Sequence, residues 1–241
     1  MLSLCVLSLL RRINVYLTIG IKCFFTISTL FVIIVILVWF NSYVQGLRAG
    51  NESPYIEDRY FVILLFVLVI ETLLFVGFFW VWFSWSNVPS LQYGSSYLPV
   101  GTISVDVITV PLRNTILLTG SAILVTMSHN SFTSKISKDY TSLLTISISI
   151  CIIFLLLQGW EYSYLIQNSI TDTNYWGIIL VLTGTHGFHV ITGTLFLSLS
   201  YIFIKVKVIT TRSHLFYTFS VFYFHLVDVV WLFLFIFVYL I

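Results

Sequence analysis

Four groups of side chains could do chemistry in this chain, and each lies inside a long apolar stretch. Glu71 is the lone charged residue between Tyr60 and Trp85. An ionisable group at membrane depth is costly and needs a partner, so a carboxyl group there could carry protons, hold a lipid headgroup or act as a neutral hydrogen-bonding acid. Gln158 and Glu161 follow one helical turn apart, then His186 and His189, then His225 and Asp228, each pair three residues apart. Side chains at that spacing share a helix face. Two histidines on one face could ligate a metal or haem, and a His–Asp pair could form a charge-assisted hydrogen bond.

Each of these chemistries demands more than the sequence offers. A di-iron site in a helix bundle needs Glu-x-x-His motifs from two helices, and none is present. Interhelical hydrogen bonding is the better reading of His186 and His189. Thr183 and Gly187 beside them have the small-xxx-small spacing that allows close helix packing. Nucleophilic hydrolysis around His225 and Asp228 would need an activated Ser or Cys and an oxyanion hole. The chain has no G-x-S-x-G, so packing is the default role for that pair. Gln158 and Glu161 stand near the end of their apolar segment, which suits a snorkelling or structural pair. Cys5, Cys23 and Cys151 are scattered without a CxxC, indicating neither a disulfide framework nor a thiolate metal site. No catalytic residue and no metal site are expected.

The elements that must position these groups follow from composition. Of 241 residues, 59% are hydrophobic and 8% are charged, against about 25% charged in an ordinary soluble domain. Such a chain cannot cover a water-facing surface. Lipid permits only helices or closed barrels, because every backbone polar group must be satisfied internally. Barrel strands alternate apolar and polar residues, whereas the apolar runs here are unbroken, so the fold class is an all-α, polytopic membrane helix bundle. The net charge of +2 and the lack of a basic tract argue against nucleic acid as a partner.

Runs of about 20 apolar residues are long enough to span, and about six occur: Cys23–Val44, Tyr60–Trp85, Asn114–Phe132, Thr141–Tyr164, Tyr175–Ile204 and His214–Ile241. Pro111 opens the third, in a position proline favours at a helix start. Residues 1–22 form an N-terminal segment suited to the membrane surface, residues 23–44 a first span packing separately, and residues 60–241 a five-helix bundle. With six spans, Arg48, Arg59, Lys135, Lys138, Lys205, Lys207 and Arg212 share one side, opposite Arg11, Arg12, Lys22 and Arg113. The positive-inside rule puts the larger group on the cytoplasmic or matrix face and both termini outside. Ala49 and Ala122 are the only alanines, a bias typical of AT-rich coding such as that of organelle genomes.

Five motifs, in order, resemble the cytochrome c oxidase subunit III family. They are Glu71 with Phe78-Phe79-Trp80, Pro111-Leu112-Arg113-Asn114-Thr115, Glu161-Tyr162, Thr183-Gly184-Thr185-His186-Gly187-Phe188-His189-Val190 with Gly193-Thr194, and the run from His225 to Leu234. Together they cover about residues 40 to 241. The family usually has seven helices, and the first is shortened or missing here. Ser84 stands where the family commonly has histidine, Thr218 where it often has glutamate, and Thr173 replaces a glycine beside Asp172.

The resemblance implies a non-redox subunit of the terminal respiratory oxidase, which reduces oxygen with electrons from cytochrome c and pumps protons. It implies a mitochondrial inner-membrane location, packing against catalytic subunit I and other oxidase subunits, and haem and copper held only by partners. It also implies bound phospholipids, cardiolipin among them, with Arg59, Lys205, Lys207 and Arg212 as headgroup candidates. Glu71 is then the proton-handling or lipid-cleft candidate, and Gln158, Glu161, His186, His189, His225 and Asp228 form a buried polar network. A proton-coupled transporter and a haem-binding membrane cytochrome are the alternatives. No internal repeat supports the former, and two histidines make an incomplete haem case for the latter.

Overall fold

The computed structural model describes residues 54–87, 110–135, 139–168, 174–211 and 213–240, with scattered positions between 27 and 46. The chain divides into two compact units, Met1–Ser53 and Pro54–Ile241. In the first unit the described positions, from 27 to 46, are all helical. The expected segment 1–22 lies outside the described residues.

The second unit is a helical bundle: α1 (Pro54–Asn87), α2 (Val110–Ser134), α3 (Tyr140–Asn168), α4 (Asn174–Lys205) and α5 (Leu215–Leu234). Among the described residues, five helices are long and apolar enough to cross a membrane. Several run past the apolar segments that announce them. α1 begins at Pro54 rather than near Tyr60, because backbone pairing within a helix does not stop where apolar side chains do.

α2 and α3 run antiparallel along a seam with a seven-residue repeat. Asn114, Leu118, Ser121, Val125, Ser128 and Phe132 are buried on α2, facing Leu144, Ser147, Cys151, Phe154, Gln158 and Glu161 on α3. This is the alternating three–four spacing of a coiled-coil seam. Its middle layers are small and polar, as expected where lipid gives no hydrophobic drive and close backbone approach must hold helices together. The Ser147 hydroxyl donates to the Ser121 carbonyl at 3.1 Å, and Cys151 Sγ lies 3.6 Å from the Ser121 hydroxyl.

α5 is the most enclosed span and α1 the least. α5 packs on α4, α2 and α1, and continues as a π-helical turn, Phe235–Leu240. A carbonyl in a final turn has no partner within its own helix. Here Trp82 of α1 donates its indole N–H to the Phe237 carbonyl at 3.0 Å, and Trp82 itself is fully buried.

The α4–α5 connection turns on Lys207, at φ 58°. Val208 N–H donates to the Phe203 carbonyl at 2.9 Å and Lys207 N–H to the Ile204 carbonyl at 3.1 Å. This is the Schellman arrangement, in which a left-handed residue, usually glycine, satisfies the last carbonyls of a helix.

Candidate functional site

The bundle divides the candidate residues among three places. The first is where α1, α4 and α5 meet. His189 Nδ1 lies 2.8 Å from the Thr185 carbonyl one turn earlier on α4, and His189 Nε2 lies 2.7 Å from Glu71 Oε2 on α1. A carbonyl oxygen only accepts, so Nδ1 carries a proton and donates it. One further proton must then lie between Nε2 and the carboxylate, either on an imidazolium or on the Glu71 carboxyl. The pair is flanked by Phe75 edge-on at 5.0 Å and by the Tyr223 ring, nearly parallel at 6.4 Å. The His189 side chain is 9% exposed and that of Glu71 29%, so the imidazole is enclosed while the carboxyl group reaches the bundle surface.

His186 does not join that pair. It is fully buried and turned to different neighbours, its ring 5.1 Å from Trp231 and 6.3 Å from Phe154. Residues three apart on a helix are offset by about 60° around its axis, which in a crowded bundle is enough to give two histidines different neighbours. The expected small-xxx-small contact shifts for the same reason. A Cβ at Gly187 would meet nothing within 4 Å, while one at Gly184 would lie 3.1 Å from the Tyr162 hydroxyl and one at Gly193 3.4 Å from the Tyr223 ring. Close approach therefore falls on Gly184 and Gly193.

The second place is the α2–α5 interface. His225 Nε2 lies 2.9 Å from Thr126 Oγ1, and no hydrogen bond joins His225 to Asp228. The expected pair is thus replaced by a contact between helices, again because the two residues are offset around α5. Asp228 is buried with its Oδ1 unpaired to any protein donor. One turn further along, His129 Nε2 lies 3.2 Å from Thr218 Oγ1, the Tyr217 hydroxyl donates to Ser128 Oγ at 2.9 Å, and Ser128 Oγ donates to the Tyr140 carbonyl at 2.7 Å. Thr218, where the family often has glutamate, therefore serves as the partner of a histidine that sequence reasoning passed over. His129 has no spaced companion on its own helix, so periodicity offered no signal for it.

The third place is the end of the bundle where α2 begins and α3 and α5 finish. Asn114 Nδ2 donates to Gln158 Oε1 at 3.0 Å, and Trp231 Nε1 donates to Thr115 Oγ1 at 3.0 Å. Gln158 and Glu161 do not snorkel. They are 6% and 5% exposed and turned inward. Asn114 was legible only as part of a motif. Its buried place on the α2 seam is what makes it a partner for Gln158.

The basic headgroup candidates lie outside these places. Arg59, Lys205 and Lys207 are exposed, with the Lys205 ammonium 5.5 Å from the centre of the Tyr201 ring. Arg212, Asp172 and Thr173 lie outside the described residues. Among the described residues, no group of three or more His, Cys, Asp or Glu side chains could hold a metal ion.

Fold and contacts together define a class: a multi-pass helical membrane protein whose buried polar side chains mostly bond from helix to helix. A family model for cytochrome c oxidase subunit III matches residues 1–241, and this chain belongs to that family. It is similar to cytochrome c oxidase subunit 3 of Myxine glutinosa, 40% identical over 197 residues, covering 81% of this chain and 74% of the relative. The Loxodonta africana protein of that name is 35% identical over 204 residues, or 83% and 77% of the two chains. The Schizophyllum commune protein is 33% identical over 206 residues, or 85% and 76%.

Proposed function

We propose that the chain works as a non-redox core subunit of a mitochondrial cytochrome c oxidase. It braces catalytic subunit I, holds phospholipid and supports proton uptake. The observation that carries this reading is the match to the subunit III family along the whole length of the chain. Membership makes the chain part of an oxygen-reducing oxidoreductase. The haem and copper then belong to partner subunits, and this chain contributes packing surface and lipid contacts.

The location in the mitochondrial inner membrane, the coding by an organelle genome and the division into segments 1–22, 23–44 and 60–241 belong to the same proposal. The scarcity of alanine supports the coding. Arg59, Lys205, Lys207 and Arg212 are the residues proposed to meet phospholipid headgroups, cardiolipin included. The exposure of the first three, and their place at the ends of spans, supports that role. Glu71 is proposed to handle protons or line the lipid cleft. Its 2.7 Å contact with His189 and the half-open position of its carboxyl group support this. No observation favours the transporter or the haem-binding cytochrome.

Purifying the native complex and identifying its chains tests the proposal. The chain is expected to co-purify with a haem–copper oxidase core and with bound phospholipid. Its recovery apart from any such core would overturn the reading.

A further inference from the structure

Asn114, Gln158 and Glu161 bring together more hydrogen-bonding capacity than they can spend on one another. Asn114 is fully buried and the other two are more than nine-tenths buried. The single bond between the two amides leaves Asn114 Oδ1, Gln158 Nε2 and both carboxyl oxygens of Glu161 without a protein hydrogen bond. The Gln158 amide and the Tyr239 hydroxyl stand close enough to the Glu161 carboxyl group to influence it by hydrogen bonding, but no bond of good geometry is made to either of its oxygens. A buried polar atom left without any partner costs about 1–3 kcal/mol, so four from three side chains gathered in one place, beside the scattered ones at His186, His214 and Asp228, would be prohibitive. An inserted ligand must therefore complete the set.

We infer that this cluster is an internal water site. Ordered water there bridges α2, α3 and the π-helical turn. The chemistry of the unmet atoms selects water over a cation. Asn114 Oδ1 and Glu161 accept hydrogen bonds, whereas Gln158 Nε2 donates them. Exchanging the oxygen and nitrogen of both amides leaves the set mixed all the same. A metal ion would satisfy the acceptors and face the amide N–H groups unfavourably, whereas a water molecule donates and accepts and makes about three bonds in such sites. Supply is at hand, since the cluster lies where one span begins at Val110 and two others finish at Ser163 and Leu240. The inference concerns this chain alone and does not rest on its proposed work in the oxidase.

The test uses the intact native membrane complex. A density map fine enough to show solvent is expected to place at least one water within hydrogen-bonding distance of an amide of Asn114 or Gln158 and of the Glu161 carboxyl group. X-ray radiolytic labelling in 18O-water supplies a second reading. Tyr239, beside the site, is expected to take up label several-fold faster than the fully buried Tyr217, and Glu161→Leu is expected to abolish the difference. If that variant does not assemble, the map and the labelling of the unaltered complex still decide. A direct Gln158–Glu161 bond with no solvent density would overturn the inference. So would density coordinated only by oxygens at about 2.3–2.6 Å, the signature of a bound cation, or equal labelling of the two tyrosines.

Discussion

His189 and Glu71, 118 residues apart in sequence, meet at 2.7 Å across α4 and α1 with one proton between them. The bond from His189 Nδ1 to Thr185 holds the imidazole in place, so Nε2 faces the carboxylate whichever group carries that proton. α1 is the least enclosed of the described spans, and this contact ties it to the bundle.

Glu71→Gln keeps an acceptor for His189 but removes the acid. The complex is expected to assemble, with lower turnover or faster inactivation during turnover. Measuring the proton-to-electron ratio and the inactivation rate checks this, and unchanged values would leave Glu71 a purely structural role. In a double-mutant cycle with Glu71→Ala and His189→Ala, a coupling of about 1.5–3 kcal/mol is expected, as for hydrogen bonds to charged groups.

Asn114 and Gln158 should behave non-additively. Either single change to leucine strands the other amide in a buried seam and is expected to destabilise the assembled complex by about 1–3 kcal/mol. The double change to leucine is expected to recover part of that loss. Thermal inactivation of the three variants checks the sign, and strictly additive losses would show that the 3.0 Å bond contributes little.

Trp82→Phe removes the donor for the Phe237 carbonyl while keeping most of the ring, and should cost about 1 kcal/mol. Trp82→Ala should cost about 3–5 kcal/mol through the cavity it leaves. Hydrogen exchange along 235–240 is the sensitive measurement. Faster exchange in Trp82→Phe is expected there and not along α3.

Lys207 holds a backbone conformation that costs a non-glycine residue about 1–2 kcal/mol. Lys207→Gly is therefore expected to raise stability, by up to about 1 kcal/mol once the greater freedom of unfolded glycine is deducted. If Lys207 also binds a phospholipid headgroup, the same variant should lose bound anionic lipid while becoming more stable. Lipid analysis of the purified complex separates the two effects.

The architecture was legible because the solvent leaves few options. A chain with 8% charged residues and repeated apolar runs of spanning length has to form membrane helices, and the positions of Glu71, Gln158 and the histidines within those runs followed at once. The α2–α3 seam was also latent in the sequence, in the three–four spacing from Asn114 to Phe132 and from Leu144 to Glu161. That spacing mixes apolar with small polar residues, and Thr126, Thr133, Thr145 and Ser149 lie exposed on the same two helices, so residue type alone does not set the seam apart from the outer faces. Membrane helices lack the polar outer face that marks amphipathicity in water.

What sequence alone determined was the class of molecule, the approximate spans and a family resemblance carried by five ordered motifs. Which polar groups meet was decided by tertiary structure. Residues three apart share a face only approximately, and the rotation of each helix within the bundle selects the partner. His189 thus turns to Glu71 while His186 turns to Trp231, and His225 finds Thr126 instead of Asp228. That rotation is set by packing against several neighbours at once, and no local stretch of residues encodes it.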